Sequence, residues 1–402
     1  MNYSKEYLAH KEDDGRNNSY RAYLRDLLKE HTMPVLVAEF GIPASRGKTH
    51  DSIPMGYDQG QHNETEQGIM LEALLKDIYE EGYCGGLVFA WQDEWFKRTW
   101  NTMDFDASDR RPFWSNPQTS EQEFGLLAFD PGQKSICNVD GDTTDWAQDV
   151  ALSNGSGVKL YVKSDEKYVY LMAETNQFDF NDDTLVIPID TIDGQGSLTD
   201  VSMNTRFSKA ADFIVTINGK TNSKIRVDAY YDSFQQMYGQ QLKMVPLDPF
   251  YQMKASGVFN PMYLCLSKEL WLPQDQVIVP FSKYETGILQ YGNGNPADPD
   301  FNSLTDFIEK DGKVEIRIPW QLLNVMDPST KTVMGDLHQT NELAHHTVEQ
   351  FNFGVAILGA DPATELIEMN PYTWQNWGEP TYHERLKPSY YILQQAFEKL
   401  NP

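Results

Sequence analysis

Two short apolar runs, separated by one amphipathic segment, most constrain how the first part of this chain can fold. The first run, 35–38, ends on Glu39, and the second, CGGLVFAW, spans 84–91. Between them, segment 64–83 repeats apolar residues at the three- and four-residue spacing of a helix. Strands that are apolar on both faces and alternate with helices are typical of parallel βα units. We therefore expect two parallel strands that are buried on both faces.

The flanking segments extend this α/β pattern. Residues 19–31 place Tyr20, Leu24 and Leu27 on one face of a predicted helix. A polar loop follows the first strand. At the far end of the chain, segment 388–400 predicts a final helix that begins at Pro388, since proline is favoured in the first turn.

From about residue 136 the pattern changes to short, partly alternating runs such as VKLYVK, KYVYLMAE and KVEIRIPW, separated by Gly, Asn, Asp and Pro. Such runs predict an antiparallel β-sandwich, with long loops in the irregular stretch 232–310. The predicted fold is thus an α/β segment of partial barrel-like βα units plus an all-β sandwich. We place the domains at 1–131 and 132–402.

Composition excludes several classes of function. The chain has 33 Lys and Arg against 59 Asp and Glu, a formal charge of −26. Without a basic patch, this charge argues against nucleic-acid binding. No apolar stretch is long enough to predict a membrane span, and the polar residues 1–18 lack the apolar core of a signal peptide. The three cysteines are widely spaced, so free buried thiols are expected.

Glu39 is the first candidate catalytic residue. A carboxylate at the C-terminal end of a parallel strand stands where barrel enzymes carry their catalytic groups. A glycosidase that retains configuration uses two carboxyl groups about 5–5.5 Å apart, one as nucleophile and one as acid. The alternative is a structural glutamate that pairs with a Lys or Arg from a loop.

The second candidate region follows the next strand, in AWQDEWFKRTWN. Flat aromatic rings beside hydrogen-bonding groups suit a sugar, which offers apolar C–H faces and hydroxyls. The alternative is that at least one tryptophan packs in the core. Loop 45–64 adds two polar candidates. The predicted substrate-binding residues here are Trp91, Gln92, Asp93, Trp95, Arg46 and His50.

These two strand ends resemble the last two βα units of a clan A glycoside hydrolase barrel. PVLVAEFG matches the seventh strand, which in that clan ends on the nucleophile glutamate, and GGLVFAWQDEW matches the eighth, which ends on a sugar-stacking tryptophan. The resemblance covers about the first 130 residues. It implies that Glu39 is the nucleophile and that Trp91 is the stacking platform.

The chain departs from the clan in one respect. The acid/base glutamate of the clan follows an Asn at the end of the fourth strand, and this sequence has no such strand. Two parallel strands do not close a barrel, and Glu94 is a weaker acid/base candidate. We therefore expect a fragment of a longer hydrolase, or a chain that needs a partner supplying the missing N-terminal barrel portion. An extracellular or cell-surface location is favoured for the full-length protein.

The β-rich part opens with ICNVDGDTTDWAQD, 136–149. This DGxxxDW pattern resembles the opening of β-sandwiches related to family-nine carbohydrate-binding modules and DOMON domains. The resemblance covers about 136–360 and implies sugar binding without chemistry. Asp140, Asp142 and Asp145 offer oxygen ligands suited to Ca²⁺, but an Asp-Gly turn is the commoner explanation. No other cofactor is expected.

Trp374 and Trp377, three residues apart in the aromatic tail, are the last substrate-binding candidates. They either clamp a sugar ring or form an aromatic tail that covers the barrel segment, and the second is favoured because large aromatics are more often buried.

The sequence as a whole predicts a bacterial-type, retaining glycoside hydrolase acting on an oligo- or polysaccharide, with an attached carbohydrate-binding-type sandwich. Two alternatives stay open. The first is a non-catalytic carbohydrate-binding protein. The second is an accessory module of a larger glycosyltransferase or polysaccharide-processing protein.

Overall fold

The computed structural model describes residues 5–52, 55–155, 157–175, 178–273, 276–339, 342–359 and 366–400. The chain forms two compact units. Unit 1 comprises Met1–Thr99, Pro117–Asp130 and His383–Pro402, and unit 2 comprises Trp100–Asn116 and Pro131–Tyr382. The predicted boundary after residue 131 lies within one residue of the main junction. The structure differs from the prediction in assigning 100–116 to unit 2 and the C-terminal segment to unit 1.

Unit 1 alternates helices and short strands over its first part. Its elements are α1 (Lys5–Leu8), α2 (Ser19–Lys29), β1 (Val37–Phe40), β2 (Lys48–His50), β3 (Gln59–Gly60), α3 (Glu64–Glu80), β4 (Gly86–Val88) and β5 (Leu127–Pro131). Both predicted helices of this part are confirmed. Local capping explains where α3 begins, because the Asn63 side chain accepts from the backbone N–H of Glu66 while the Glu66 side chain accepts from that of Asn63.

Strands β1 and β4 are parallel, as predicted, with Val37 opposite Gly86 and Phe40 opposite Val88. One face of this pair packs on α3 through Phe40, which lies in the unit 1 core with Ile78. The other face is open, since Leu87 of β4 is 57% exposed, Ala38 of β1 is exposed, and Leu36, which directly precedes β1, is 47% exposed. The expectation that both faces are buried is therefore wrong. The two strands form a sheet of their own, and no closed barrel is present in the described part of the chain.

Unit 2 consists mainly of antiparallel strands. They are β6 (Ser153–Gly155), β7 (Val158–Ser164), β8 (Tyr168–Thr175), β9 (Thr184–Asp190), β10 (Ser197–Asp200), β11 (Thr205–Ala211), β12 (Phe213–Ile217), β13 (Lys224–Asp228), β14 (Phe259–Pro261), β15 (Tyr263–Ser267), β16 (Leu270–Leu272), β17 (Val277–Val279), β18 (Ser282–Glu285), β19 (Phe307–Lys310), β20 (Lys313–Pro319), β21 (Val325–Asp327), β22 (Thr332–Met334), β23 (His345–Thr347), β24 (Phe351–Gly354), β25 (Ala356–Leu358), β26 (Leu366–Ile367) and β27 (Met369–Tyr372).

Two sheets of unit 2 share one apolar core. The first has the order β14-β13-β12-β9-β24-β27, with β25 also on β9, and the second has the order β19-β20-β8-β7-β6. Alternate residues of β9, such as Ile187, meet alternate residues of β8, such as Leu171, in that core. The intervening Val186 belongs to a separate cluster on the opposite side of β9, together with Phe207 of β11. The predicted antiparallel sheets are confirmed, and a third layer, β10-β11-β26, lies on this outer side.

The irregular stretch between β13 and β19 is less open than its composition predicts. It contains a π-helix, Gln235–Gln241, and several short strands. Phe234, Tyr238 and Cys265 form a small core of their own here.

The chain ends in unit 1 with β28 (Tyr382–Leu386), which pairs with β5, and the predicted final helix α4 (Pro388–Leu400). Helix α4 packs closely on α3. A Cβ atom at Gly68 of α3 would come within 2.8 Å of the Ser389 Cα atom, so glycine permits this approach. None of the described helices has the length and hydropathy that crossing a bilayer requires.

Candidate functional site

The candidate site in unit 1 begins at the C-terminal ends of β1 and β4. Because the two strands are parallel, their C-terminal ends lie at the same edge. Glu39 is the penultimate residue of β1, and Trp91 follows the end of β4 by three residues. The backbone N–H of Phe89 donates to the Phe40 carbonyl at 2.8 Å, which continues the pairing towards Trp91. This register brings the two predicted residues to one edge of the sheet.

Glu39 differs from the other acidic residues predicted near it. Its side chain is exposed, and within the described residues it takes part in no hydrogen bond or ion pair. The alternative of a structural glutamate held by a Lys or Arg therefore finds no such partner in the part of the chain that the structure describes. A free, solvated carboxylate is chemically available to a ligand at this edge.

Trp91 offers an accessible aromatic face. Its side chain is 56% exposed, and its ring meets Tyr390 of α4 edge-on at 6.1 Å. The backbone fixes its position, since the N–H groups of Leu126 and Leu127 both donate to the Trp91 carbonyl. An exposed indole on a fixed backbone is suited to stacking on the apolar face of a sugar.

Asp93 has a structural environment. It is buried and accepts a hydrogen bond from Lys387 Nζ at 2.7 Å and one from the Gly125 backbone N–H at 2.9 Å. Lys387 is fully buried and is also 3.9 Å from a Glu123 carboxylate oxygen. This buried ion pair connects the segment before α4 to the loop after β4, so we leave Asp93 out of the proposed site.

The remaining residues of this loop divide between exposed and buried positions. Gln92 is exposed and forms a parallel bridge with Leu127. Glu94 lies 3.6 Å from Lys97 Nζ. Trp95 is buried, and its carbonyl accepts from Gln122 Nε2 at 2.8 Å. The loop thus presents Trp91 and Gln92 to solvent, while Trp95 packs inside.

The two candidates in the loop after β1 are in different environments. Arg46 is buried, and its guanidinium donates to Gln118 Oε1 at 2.7 Å. His50, the last residue of β2, is exposed. Arg46 therefore holds two chain segments together, and a substrate role for either residue stays a prediction.

In unit 2 the two predicted tryptophans line one pocket of about 440 Å³. Trp374 is only 6% exposed, donates its indole N–H to the Pro328 carbonyl at 2.8 Å and packs on Trp320 at 4.8 Å. Trp377 is half-buried and donates its indole N–H to the Phe113 carbonyl. Trp374 is thus a core residue, and of the two tryptophans Trp377 is the one with ring surface for a ligand. The other lining residues are Lys163, Ser164, Asp165, Glu166, Tyr372, Gln375 and Asn376.

The DGxxxDW motif forms a turn centred on Glu315 of β20. Glu315 is buried and accepts from the Gly141 backbone N–H and the Trp146 indole N–H, both at 2.7 Å. Burial raises the pKa of Glu315, while these hydrogen bonds oppose the shift.

The three aspartates predicted as Ca²⁺ ligands are engaged in the same turn. Each accepts from a nearby backbone N–H: Asp140 from Asp142, Asp142 from Thr144, and Asp145 from Asn138. Across the described residues, no cluster of three or more His, Cys, Asp or Glu side chains is arranged to hold a metal ion. Hydrogen bonding within the turn therefore accounts for these aspartates.

Sequence reasoning missed Lys387 and Glu315. Nothing in the local sequence distinguishes Lys387 from the other cations of its segment. Glu315 lies on a strand face opposite the main core, where an acidic residue is expected to be solvated. Their partners are far away along the chain, so only the folded structure reveals their roles.

In comparisons with known proteins, no family model, curated protein or solved structure matches the chain.

Proposed function

We propose that unit 1 carries the nucleophile and the sugar-stacking platform of a retaining glycoside hydrolase. Glu39 attacks the anomeric carbon and forms a covalent glycosyl ester, and Trp91 stacks on the sugar ring. The observation that carries this proposal is the exposed Glu39 carboxylate, without a partner among the described residues, at the C-terminal end of a parallel strand.

Contrast with neighbouring carboxylates supports this choice. Asp93 pairs with Lys387, and Glu64 pairs with Arg385 at 2.7 Å. A buried carboxylate that pairs with a cation stabilises the fold, whereas one left in solvent beside an exposed indole is free to react. We therefore assign the chemical role to Glu39 and a structural role to the paired acids.

Turnover of natural glycosides also needs a proton donor. Glu94, the predicted candidate, is engaged with Lys97, so we propose that another polypeptide segment supplies the acid. The open apolar face of β1 and β4 supports this idea, because Leu36 and Leu87 are apolar side chains that further strands would cover.

The test is covalent trapping, which needs only the nucleophile. In a 2,4-dinitrophenyl 2-deoxy-2-fluoroglycoside, the bond from the anomeric carbon to the leaving oxygen breaks without protonation, and dinitrophenolate departs. The Glu39 carboxylate oxygen then forms the ester. We expect intact-mass spectrometry of the whole chain to show one adduct with at least one of the gluco, galacto and manno reagents, mapped to Glu39.

The controls are two conservative variants. Glu39→Gln is expected to abolish the adduct, and Glu384→Gln, which changes an exposed glutamate on β28, is expected to leave it unchanged. An adduct that persists in Glu39→Gln, or no adduct with any reagent, would overturn the nucleophile assignment.

A second candidate function is sugar binding without chemistry in unit 2. The pocket that contains Trp377 favours it, because an aromatic ring lies there beside polar groups such as Glu166 and Gln375. Calorimetry with oligosaccharides is expected to show binding that Trp377→Ala weakens at least fivefold. Trp271→Ala, which removes an exposed indole on β16, is the matched control. Equal affinity in both variants would exclude this pocket.

A further inference from the structure

One two-stranded hairpin of unit 2 is apolar on both of its faces. Strands β16 and β17 are antiparallel, with Trp271 opposite Ile278. Directly opposed residues point to the same face of a hairpin, and successive residues point to opposite faces. Trp271 and Ile278 therefore form one face, and the four residues that flank them form the other. The six strand residues are Leu270, Trp271, Leu272, Val277, Ile278 and Val279.

Both faces of this hairpin are open to solvent. Trp271 and Ile278 are 52% and 56% exposed on the first face, and Leu270 and Val277 are 55% and 50% exposed on the second. None of the six strand residues belongs to a hydrophobic cluster among the described residues. Contiguous apolar surface of this kind is typical of an interaction site.

The backbone of the hairpin is open as well. In the part of the chain that the structure describes, β16 and β17 form a sheet of only two strands, so each has one edge without a neighbouring strand. Proteins usually protect such edges with charged residues, and segments 270–272 and 277–279 contain none. The hairpin is therefore able to pair with a further strand.

A second exposed apolar segment, 242–253, begins at the base of the hairpin. Met244 and Val245 of this segment pack against the same small core as Phe281, which lies between β17 and β18. The two apolar segments thus extend from one anchoring point in unit 2. The exposed apolar residues of the second segment are Leu242, Leu247, Phe250 and Met253.

The charge of this surface differs from that of the chain. The chain as a whole has a formal charge of −26, which makes two copies repel each other over most of their surface. The hairpin strands carry no charge, and segment 242–253 carries one lysine and one aspartate, Lys243 and Asp248. Two copies can therefore approach each other here without bringing an excess of acidic groups together.

We infer that the hairpin and segment 242–253 join two copies of this chain into a dimer. Identical edge strands related by a two-fold axis run antiparallel, so the backbone donors of each strand meet the acceptors of the other. The apolar side chains of the hairpins and of segment 242–253 then leave solvent together. The inference uses only unit 2 and does not depend on either proposed function.

A lipid bilayer fits the hairpin less well. Unpaired strand edges are not tolerated in the hydrocarbon region. The sequence between the two strands, Pro-Gln-Asp-Gln at 273–276, is polar. The excess of acidic residues also opposes binding to an anionic lipid surface. A second copy of the chain is therefore the occupant that the hairpin fits best.

The experiment is sedimentation velocity of the whole chain across the micromolar concentration range. We expect a species of twice the mass of one chain to form as concentration rises. The double variant Trp271→Ser with Ile278→Ser is expected to weaken this dimer at least tenfold and to stay folded, because both side chains are exposed. A chain that is monomeric at every concentration would overturn the inference.

The matched control removes the same kinds of side chain from unit 1. Ile69 and Tyr79 of α3 are 56% and 55% exposed, and Ile69→Ser with Tyr79→Ser is expected to change the dimer dissociation constant less than twofold. A dimer that the hairpin variant leaves unchanged, or that the α3 variant weakens equally, would contradict an interface at the hairpin.

Hydrogen exchange at two concentrations tests the pairing of strand edges. Amides of β16 or β17 are expected to gain protection as the dimer forms, and the hairpin variant is expected to lose that gain. A dimer whose hairpin amides gain no protection would overturn the inference.

Added NaCl and lipid vesicles separate the remaining alternatives. Salt screens the repulsion between two acidic chains, so the dimer is expected to become at least twofold tighter. Dissociation by salt would indicate an interface held by charges and would overturn the inference. Phosphatidylcholine vesicles are expected not to bind the chain. Vesicle binding by a monomeric chain, lost in the hairpin variant, would favour lipid as the occupant.

Discussion

The two units differ in how completely their strands are covered. In unit 1 the strand residue Leu87 of β4 is 57% exposed, whereas in unit 2 the strand residue Ile187 of β9 is fully buried. Both units bury carboxylates, such as Asp93 in unit 1 and Asp212 in unit 2, but Glu39 of unit 1 stays in solvent. Two sheets that share one core cover each other's apolar faces, and a two-stranded parallel sheet on its own does not. The apolar pattern of a strand therefore indicates which faces need to be covered, but it does not show that the folded chain covers them.

The largest expected effect is the pH dependence of unit 2. Burial is the main cause that raises the pKa of Asp190 and Asp212 to about 7 and that of Asp228 to about 6. In the unfolded chain these values are about 3.9, so the folded state binds more protons. Its stability is fully present below about pH 4 and is lost as pH rises through 6 to 7. We expect a loss of about 5 kcal/mol between pH 5 and pH 7.

Hydrogen exchange of the β9 and β12 amides in denaturant, followed at pH 5, 6 and 7, measures this loss. Asp212→Asn is expected to reduce the pH dependence without abolishing it, because Asp190 and Asp228 still titrate, whereas Asp193→Asn, at a side chain that is 91% exposed, is expected to leave it unchanged. If the protection of these amides against exchange stayed constant from pH 5 to 7, the three aspartates would not titrate as described.

The next effect concerns the buried ion pair of unit 1. Lys387→Met leaves the Asp93 carboxylate buried without its cation, which is expected to cost about 3–5 kcal/mol. The double variant Asp93→Asn with Lys387→Met is expected to recover much of that loss. Urea unfolding followed by exchange of the α3 amides measures both. If the single and double variants were equally unstable, packing rather than charge would explain the loss.

A matched pair of truncations tests the difference in strand burial directly. Ile187→Ala in unit 2 is expected to destabilise its sheet by about 2–5 kcal/mol, because a cavity forms in a closed core. Leu87→Ala in unit 1 is expected to change stability by less than about 0.5 kcal/mol, since the side chain is largely in solvent. Thermal unfolding of both variants gives the comparison, and equal losses would mean that Leu87 is covered in the folded protein.

The smallest effect is expected at the proposed nucleophile. Glu39→Gln is expected to change the free energy of unfolding by less than about 0.5 kcal/mol, because the side chain is exposed. Glu64→Gln, which weakens the pair between the buried Glu64 and the partly buried Arg385, is expected to cost about 2 kcal/mol. Urea titration of both variants checks this contrast. A destabilised Glu39→Gln variant would favour a structural role for Glu39.

Much of the local structure could be predicted from the sequence. Apolar spacing predicted α3, Pro388 predicted where α4 begins, and the alternating runs predicted the antiparallel sheets. The parallel pairing of β1 and β4 followed from one intervening helix. The prediction that both faces of β1 and β4 are buried was wrong, because it assumed that other secondary-structure elements would cover their second face.

The candidate sites were predicted less completely. The sequence singled out Glu39 and Trp91, and their roles stay predictions. It included Asp93 in the same group, although Lys387, almost 300 residues later, engages that carboxylate. The side-by-side placement of Asn352, Asp190, Asp212 and Asp228 on neighbouring strands of unit 2 was not predicted at all. Each aspartate alone resembles a strand-end turn residue. Only pairing between distant strands brings them together.

The sequence by itself thus determined the helices, the alternation of the sandwich strands and the excess of acidic residues, because these depend on residues close together or on composition alone. Tertiary structure decided which carboxylates are paired, which are buried and which remain in solvent. The physical reason is that desolvation and ion pairing depend on neighbours far away in the chain. For that reason Glu39, Asp93 and Asp190, three similar acids in the sequence, are chemically different in the folded protein.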